Sequence, residues 1–331
     1  MFSCSTFEER KFQFTYQVQL EPSDGKVELW IPIPQSNKVQ IISNIIYEVD
    51  NLDYAIKEEK VHGNKYMYVS SDRGILKPKT ISITFDVLRK EHSIEQYDDI
   101  NPSQYLGSYR TVPTGDIFKS IINDNKLSKN DMGAVYSFVL SGMHYGKPKS
   151  VDNVYYKDPW MSEKGLYGKK QVTRDDVVDL YKEAKTNNGN YTFGNGNSIY
   201  ACDIGVGNCT DYHSYFISLS RTLGVPARFH MGFPIPNDGS GIVGGYHCWA
   251  DYYIDGKGWT PVDISEGDKA PSKKDYFNGT VCQNRVDVMV GRDFILDGYD
   301  NGKINLFIYP QLEINDKVSF KYNKSFTYKN L

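Results

Sequence analysis

The stretch that decides the fold reads Gly205-Val206-Gly207-Asn208-Cys209-Thr210-Asp211-Tyr212-His213. Asn208 is a favoured helix N-cap residue, and apolar side chains follow it at helical spacing: Tyr212, Phe216, Leu219 and Leu223. Gly224 and Pro226 predict the end of this helix. Cys209 is therefore expected in the first turn, where unpaired N–H groups and the helix dipole favour a thiolate, the nucleophilic form of cysteine.

A hairpin is predicted downstream of this helix. Residues 246–254, which include His247, form an aromatic-rich strand, a turn follows at residues 255–258, and Asp263 ends the returning strand. His247 and Asp263 are expected nearly opposite each other, which requires an odd-length loop, a bulge or a diagonal contact. With the histidine as the base for the thiol and the aspartate orienting the imidazole, Cys209, His247 and Asp263 would form a catalytic triad.

Four motifs occur in order: G-x-G-x-C-x-D ending at Asp211, L-x-R-x-x-G-V-P-A-R at 219–228, H-x-W ending at Trp249, and W-x-P-x-D ending at Asp263. Their order and spacing resemble the transglutaminase-like superfamily, of papain-like fold, and its bacterial members in particular. The resemblance implies an α+β fold whose core packs a helix bundle on an antiparallel sheet. It also places Asp211 at a motif position, where we expect a supporting electrostatic role at the helix start.

The expected chemistry is acyl transfer at amide bonds of a peptide or protein, through a thioester on Cys209. Resolution of the thioester by water, as in a peptidase or amidase, is the favoured prediction. The sequence leaves open a protein-glutamine transglutaminase that uses an amine acceptor, and an inactive transglutaminase-like module that only binds or scaffolds. No cofactor is predicted, and the oligomeric state is left open.

Strand and helix patterns divide the chain into four parts. Residues 8–92 are predicted as an N-terminal β-sandwich-like domain, 93–115 as a linker, 116–283 as the catalytic domain and 284–331 as a C-terminal β extension. In the first part, Asp24-Gly25 is predicted to turn a hairpin between two strands of alternating polarity.

Other candidate residues lie outside the proposed triad. Trp160, in the long polar loop 147–172, and Trp249 are candidates for a substrate groove or for support of the site. His213 follows Cys209 by one helical turn, so the pair could begin a zinc site, but no second Cys/His pair at ligand spacing occurs and no metal is predicted.

The composition limits which partners the protein can bind and in which compartment it can be located. The formal net charge is -3, no basic block occurs, and no apolar run reaches the length of a membrane span, so neither nucleic acid nor a transmembrane segment is expected. Five cysteines leave open a disulfide between Cys202 and Cys248 in an exported protein. Cys4, after a small residue, resembles the lipidated cysteine of an exported lipoprotein whose start lies upstream; a cytoplasmic protein is the alternative.

Overall fold

The computed structural model describes residues 9–145, 166–167, 172–173, 179, 191 and 193–331. The described chain forms two compact units. The helical unit comprises the described part of Ser93–Phe229 with Cys248–Val281. The β unit comprises the described residues up to His92 with His230–His247 and Cys282–Leu331. The predicted division into 8–92, 93–115, 116–283 and 284–331 stays a prediction.

The helices and strands have the following bounds. The α-helices are α1 (Asp116–Asp124), α2 (Met132–Gly142), α3 (Ser198–Ile204), α4 (Cys209–Thr222) and α5 (Ile264–Lys269). The first nine strands are β1 (Glu9–Leu20), β2 (Val27–Ile33), β3 (Gln40–Val49), β4 (Asp53–Glu58), β5 (Lys65–Ser71), β6 (Lys79–Lys90), β7 (His144–Tyr145), β8 (Leu166–Tyr167) and β9 (Val172–Thr173). The others are β10 (Val206–Gly207), β11 (Ala227–Pro234), β12 (Ser240–Ile242), β13 (His247–Ile254), β14 (Gly258–Val262), β15 (Arg285–Val290), β16 (Gln311–Ile314), β17 (Lys317–Val318) and β18 (Tyr322–Asn330). Short 3₁₀ helices lie at Pro102–Tyr105 and Pro271–Lys273.

Two antiparallel sheets build most of the β unit, with strand orders β12-β18-β1-β6-β3 and β17-β16-β2-β5-β4. Strand β1 alternates as predicted and buries its apolar side: Phe12, Phe14, Tyr16, Val18 and Leu20. Its aromatic rings pack on those of other strands, such as Phe14 on Phe85 with ring centroids 5.5 Å apart. The core of the unit is thus assembled from strands far apart in sequence.

The hairpin predicted at Asp24-Gly25 is wrong, because β1 and β2 belong to different sheets. After the turn, the backbone N–H of Lys26 donates to the Asn315 side chain at 3.0 Å, and the Lys26 carbonyl accepts from the Asn315 N–H at 2.9 Å. These bonds lead β2 into pairing with β16 rather than with β1. All seven residues of β2 are buried, so its alternating sequence does not mark a strand with one solvated face.

Helix α4 is the centre of the helical unit, in contact with α1, α2, α3 and α5. Every residue from Cys209 to Arg221 is buried. Its buried serines are satisfied within the helix or by a neighbour; Ser214, for example, donates to the Thr210 carbonyl at 2.7 Å. The predicted helix end is confirmed, since Gly224 adopts a left-handed φ of 79° directly after the last turn.

The β13–β14 hairpin is held by a buried ion pair of Arg228, the arginine that ends the L-x-R-x-x-G-V-P-A-R motif. Arg228 donates from Nε to Asp251 Oδ1 at 2.9 Å, makes a second bond from Nη2 to Oδ2, and lies over the Trp259 ring with its Cζ 4.0 Å from the centroid. A planar guanidinium is suited to both contacts at once. The motif residues therefore fix this hairpin within the helical unit.

The predicted α+β class, with β regions from both ends of the chain, is confirmed. Among the described residues no helix combines the length and hydrophobicity needed to cross a bilayer.

Candidate active site

Cys209 is the first residue of α4, as predicted, and is 4% exposed. The helix start is held by a capping box: the Asn208 side chain accepts from the Thr210 N–H at 2.9 Å, and the Asp211 carboxylate accepts from the Asn208 N–H at 3.0 Å. The sulfur therefore sits at the positive end of a rigid, buried helix.

Asp211 does more than cap the helix. Its fully buried carboxylate also accepts backbone N–H bonds from Gly194, at 2.8 Å, and from Gly196, at 3.0 Å. It thereby ties the segment before α3 to the turn that carries Cys209. Burial raises the pKa of the Asp211 carboxyl from 3.8 to about 7, against the lowering effect of these N–H bonds, and a negative charge on Cys209 raises it further.

Asp263 follows β14 and is the N-cap of α5. Its fully buried carboxylate accepts from the Glu266 N–H and from the Ser265 hydroxyl, each at 3.1 Å. Two donors on one carboxylate oxygen fix the orientation of this side chain.

His247 is the first residue of β13 and is 5% exposed. The β13–β14 register runs from Ala250 opposite Val262 to Ile254 opposite Gly258. The loop therefore contains three residues, an odd length, which is one of the three alternatives that the prediction left open. Since side chains alternate along a strand, His247 and Trp249 share the same strand face. Trp249 itself is 1% exposed and belongs to the core.

His213 joins the two elements that carry Cys209 and Asp263. Its Nδ1 lies 2.7 Å from the Cys209 carbonyl oxygen, and its Nε2 accepts from the Ile264 N–H at 3.0 Å. The same Nε2 is 3.9 Å from Asp263 Oδ1. Both ring nitrogens face protein groups. Among the described residues no cluster of three or more His, Cys, Asp or Glu is arranged to hold a metal ion.

Tyr145 is a site residue that the sequence did not indicate. It pairs in parallel with Gly207, two residues before Cys209, and its N–H donates to Asp268 at 2.9 Å. Burial raises the pKa of its hydroxyl well above the ordinary value, and negative charges at Cys209 and other neighbours, including Asp263, raise it further. The hydroxyl therefore stays protonated and can act as a hydrogen-bond donor. It lies close enough to Cys209 and Asp263 for their charges to affect its pKa.

The remaining predictions concern a disulfide between Cys202 and Cys248, and the residues Trp160 and Cys4. No disulfide joins Cys202 to Cys248; Cys202 is half-buried, and Cys248 is buried with its sulfur 3.7 Å from the Thr210 hydroxyl oxygen. Trp160 and Cys4 lie outside the described residues.

This chain is similar to known proteins in both sequence and structure. An uncharacterized protein of Haemophilus influenzae is 23% identical over 368 residues, which cover 95% of this chain and 89% of that protein. The crystal structure of a candidate cysteine protease from Cytophaga hutchinsonii superposes with a TM-score of 0.56 at 13% identity, over 97% of this chain and 91% of the other. The periplasmic domain of TgpA from Pseudomonas aeruginosa gives a TM-score of 0.34 at 14% identity, over 79% and 72% of the two chains.

The match to a family model covers one part of the chain. Residues 163–264 match the model of the transglutaminase-like superfamily, and this range contains Cys209, His247 and Asp263. The four ordered motifs lie in that range, and the likeness to the Cytophaga hutchinsonii protein shows that the fold recurs over nearly the whole length. Residues 163–264 therefore represent a transglutaminase-like domain, and this likeness supports a family of cysteine-dependent enzymes.

Proposed function

We propose that the protein is a cysteine-dependent acyl-transfer enzyme that hydrolyses amide bonds in peptides or proteins, with Cys209, His247 and Asp263 as its triad. The observation that carries the proposal is the position of Cys209 at the capped N-terminus of α4, with the turn of Asp263 joined to the same helix through His213. The helix terminus favours a thiolate, and a buried, oriented carboxylate is what a catalytic imidazole requires.

In the proposed reaction, His247 takes the thiol proton and the Cys209 sulfur attacks the amide carbonyl carbon. The carbonyl π electrons move to oxygen, and the resulting oxyanion accepts a hydrogen bond from the Cys209 backbone N–H. We assign the second donor to the Tyr145 hydroxyl, because Tyr145 pairs with Gly207, two residues before Cys209, and burial keeps its hydroxyl protonated. The tetrahedral intermediate then collapses, the C–N bond breaks, and the amine leaves with the proton that His247 had taken.

The thioester is next attacked by water, whose proton passes to His247, and the carboxylic acid is released while the thiol is restored. Asp263 stays ionised throughout and stabilises the imidazolium form of His247. An amine in place of water would give transamidation through the same steps. The two outcomes differ only in the acceptor, so the test below includes both.

The test compares thiol reactivity with exposure. Cys202 is half-buried whereas Cys209 is only 4% exposed, so exposure alone predicts faster alkylation of Cys202. We expect iodoacetamide to modify Cys209 first, with a rate that reaches its plateau well below the ordinary thiol pKa of about 8.5. Faster labelling of Cys202 would refute activation of Cys209.

Activity is then screened on a peptide library with and without an added primary amine. We expect amide cleavage that Cys209→Ala abolishes and Cys202→Ala retains. Amine-conjugated products in place of free acids would assign transamidation. Equal activity of the wild type and Cys209→Ala would refute a mechanism that depends on Cys209, and no activity in either protein would refute the enzyme and leave the binding module.

A further inference from the structure

We propose that His213 is a positioning residue: its neutral imidazole ties the turn that carries Cys209 to the turn that carries Asp263. This inference rests on the proposed function, since it explains how nucleophile and carboxylate are held in register. His213 lies one helical turn after Cys209, on the same face of α4. Its ring therefore extends back along the helix to the Cys209 carbonyl and across to the first N–H of α5.

The two hydrogen bonds define the protonation state of the ring. A carbonyl oxygen only accepts, so the contact of 2.7 Å to Cys209 requires a proton on Nδ1. A backbone N–H only donates, so the contact of 3.0 Å from Ile264 requires a lone pair on Nε2. Both conditions are met by one species alone, the neutral imidazole with its proton on Nδ1.

The same bonds separate His213 from the role of the catalytic base. A base needs a lone pair directed at the thiol proton, but the lone pair of His213 is directed at the Ile264 N–H. A second proton on Nε2 would set two donors against each other across that contact. His213 is thus suited to hold position, and the sequence motif H-x-W leaves His247 as the histidine for proton transfer.

The two hydrogen bonds of His213 control the position of the Asp263 turn relative to α4. His213 Nε2 lies 3.9 Å from Asp263 Oδ1, too far for a hydrogen bond, so the ring leaves this carboxylate to its Glu266 and Ser265 donors. By bonding to the next backbone N–H instead, His213 fixes the Asp263 turn relative to α4 without neutralising the carboxylate. Displacements near 1 Å in such an arrangement cost about 100-fold in rate.

Two variants of His213 each keep one of its two hydrogen bonds. In His213→Asn, the carboxamide nitrogen takes the place of Nδ1 and keeps the bond to the Cys209 carbonyl, but the side chain is too short to reach Ile264. In His213→Gln, the longer side chain puts its carboxamide oxygen near the place of Nε2, where it accepts from the Ile264 N–H. His213→Ala removes both bonds.

The first measurement is the ¹⁵N spectrum of the histidine rings in the folded wild type between pH 5.5 and 8.5. We expect His213 to remain the neutral Nδ1–H species throughout, whereas an exposed histidine titrates near about 6.5. This readout does not depend on enzymatic activity. A ring with its proton on Nε2, or one that titrates normally, would overturn the inference.

The second measurement is the pH profile of Cys209 alkylation together with kcat and KM for a cleaved peptide. We expect His213→Ala to lower kcat about 10- to 100-fold with little change in KM, and His213→Gln to recover most of the loss because it restores the tie to Ile264. A structural role alone would lower the folded fraction and leave kcat per folded molecule unchanged, which denaturant unfolding of each variant establishes.

The outcomes separate the two proposals. A wild type in which Cys209 reacts no faster than Cys202 refutes the proposed function. A reactive wild type whose kcat and pH profile are matched by folded His213→Ala refutes the positioning role and leaves the proposed function intact.

Discussion

Replacement of Asp211 by asparagine gives a direct test of the raised pKa of this buried carboxyl, two residues after Cys209. The folded pKa of this carboxyl is about 7 and its ordinary value is 3.8. A raised folded pKa means that the native state binds the proton more tightly than the unfolded chain between these two values. Its contribution therefore lowers the free energy of unfolding as the pH rises through this window.

The size of the effect follows from the two pKa values. Each pH unit between them is worth about 1.4 kcal/mol, so the ionised Asp211 costs the folded state about 4 kcal/mol above pH 7. Part of this cost is already present at pH 5, and about 2 to 3 kcal/mol of it arises between pH 5 and pH 8.

Asp211→Asn removes the ionisation but keeps the shape of the side chain. Its carboxamide nitrogen cannot accept the N–H bonds that the second carboxylate oxygen accepted, so the variant is expected to be less stable than the wild type at pH 5. The readout is the slope: the difference in unfolding free energy between wild type and variant should shrink by about 2 to 3 kcal/mol from pH 5 to pH 8.

The assay is urea unfolding at one-unit steps from pH 5 to pH 8. Asp116→Asn serves as the matched control, because the Asp116 side chain is 99% exposed on α1. That variant should run parallel to the wild type at every pH. If the curves of Asp211→Asn and the wild type are also parallel, the raised pKa of Asp211 is refuted.

Two further substitutions test the site and its support. Arg228→Lys loses the two-pronged bond to Asp251 and the stacking on Trp259, so we expect a loss of about 2 to 4 kcal/mol in urea unfolding; wild-type stability would contradict this account of the hairpin. Tyr145→Phe removes the proposed oxyanion donor, so we expect kcat for a cleaved peptide to fall about 100-fold with KM nearly unchanged. An unaltered kcat would reassign the donor.

Local signals in the sequence carried the prediction of the Cys209 helix. Asn208 caps it, Gly224 ends it, and both act through hydrogen bonds within a few residues of their own position. The hairpin of His247 was predicted for the same reason, since its turn lies between two strands that are neighbours in sequence.

Residues whose partners lie far along the chain were not predicted. His213 meets the Ile264 N–H across 51 positions, and Lys26 meets Asn315 across 289. Nothing in the local pattern around Asp24-Gly25 distinguishes a hairpin from a chain that changes sheets. Tyr145 was overlooked in the same way, because its pairing with Gly207 depends on the packing of α2 and α4.

The pairing of β1 with β18 has a consequence for biosynthesis. Phe12 lies opposite Asn330 and Leu20 opposite Tyr322, so β1 waits for this partner strand until residues 322–330 have been synthesised. Until then the growing chain exposes the outer edge of β1, a long apolar template open to wrong partners. Correct maturation of the β unit must await the synthesis of β18, and a chain that stops before Tyr322 would be prone to aggregate.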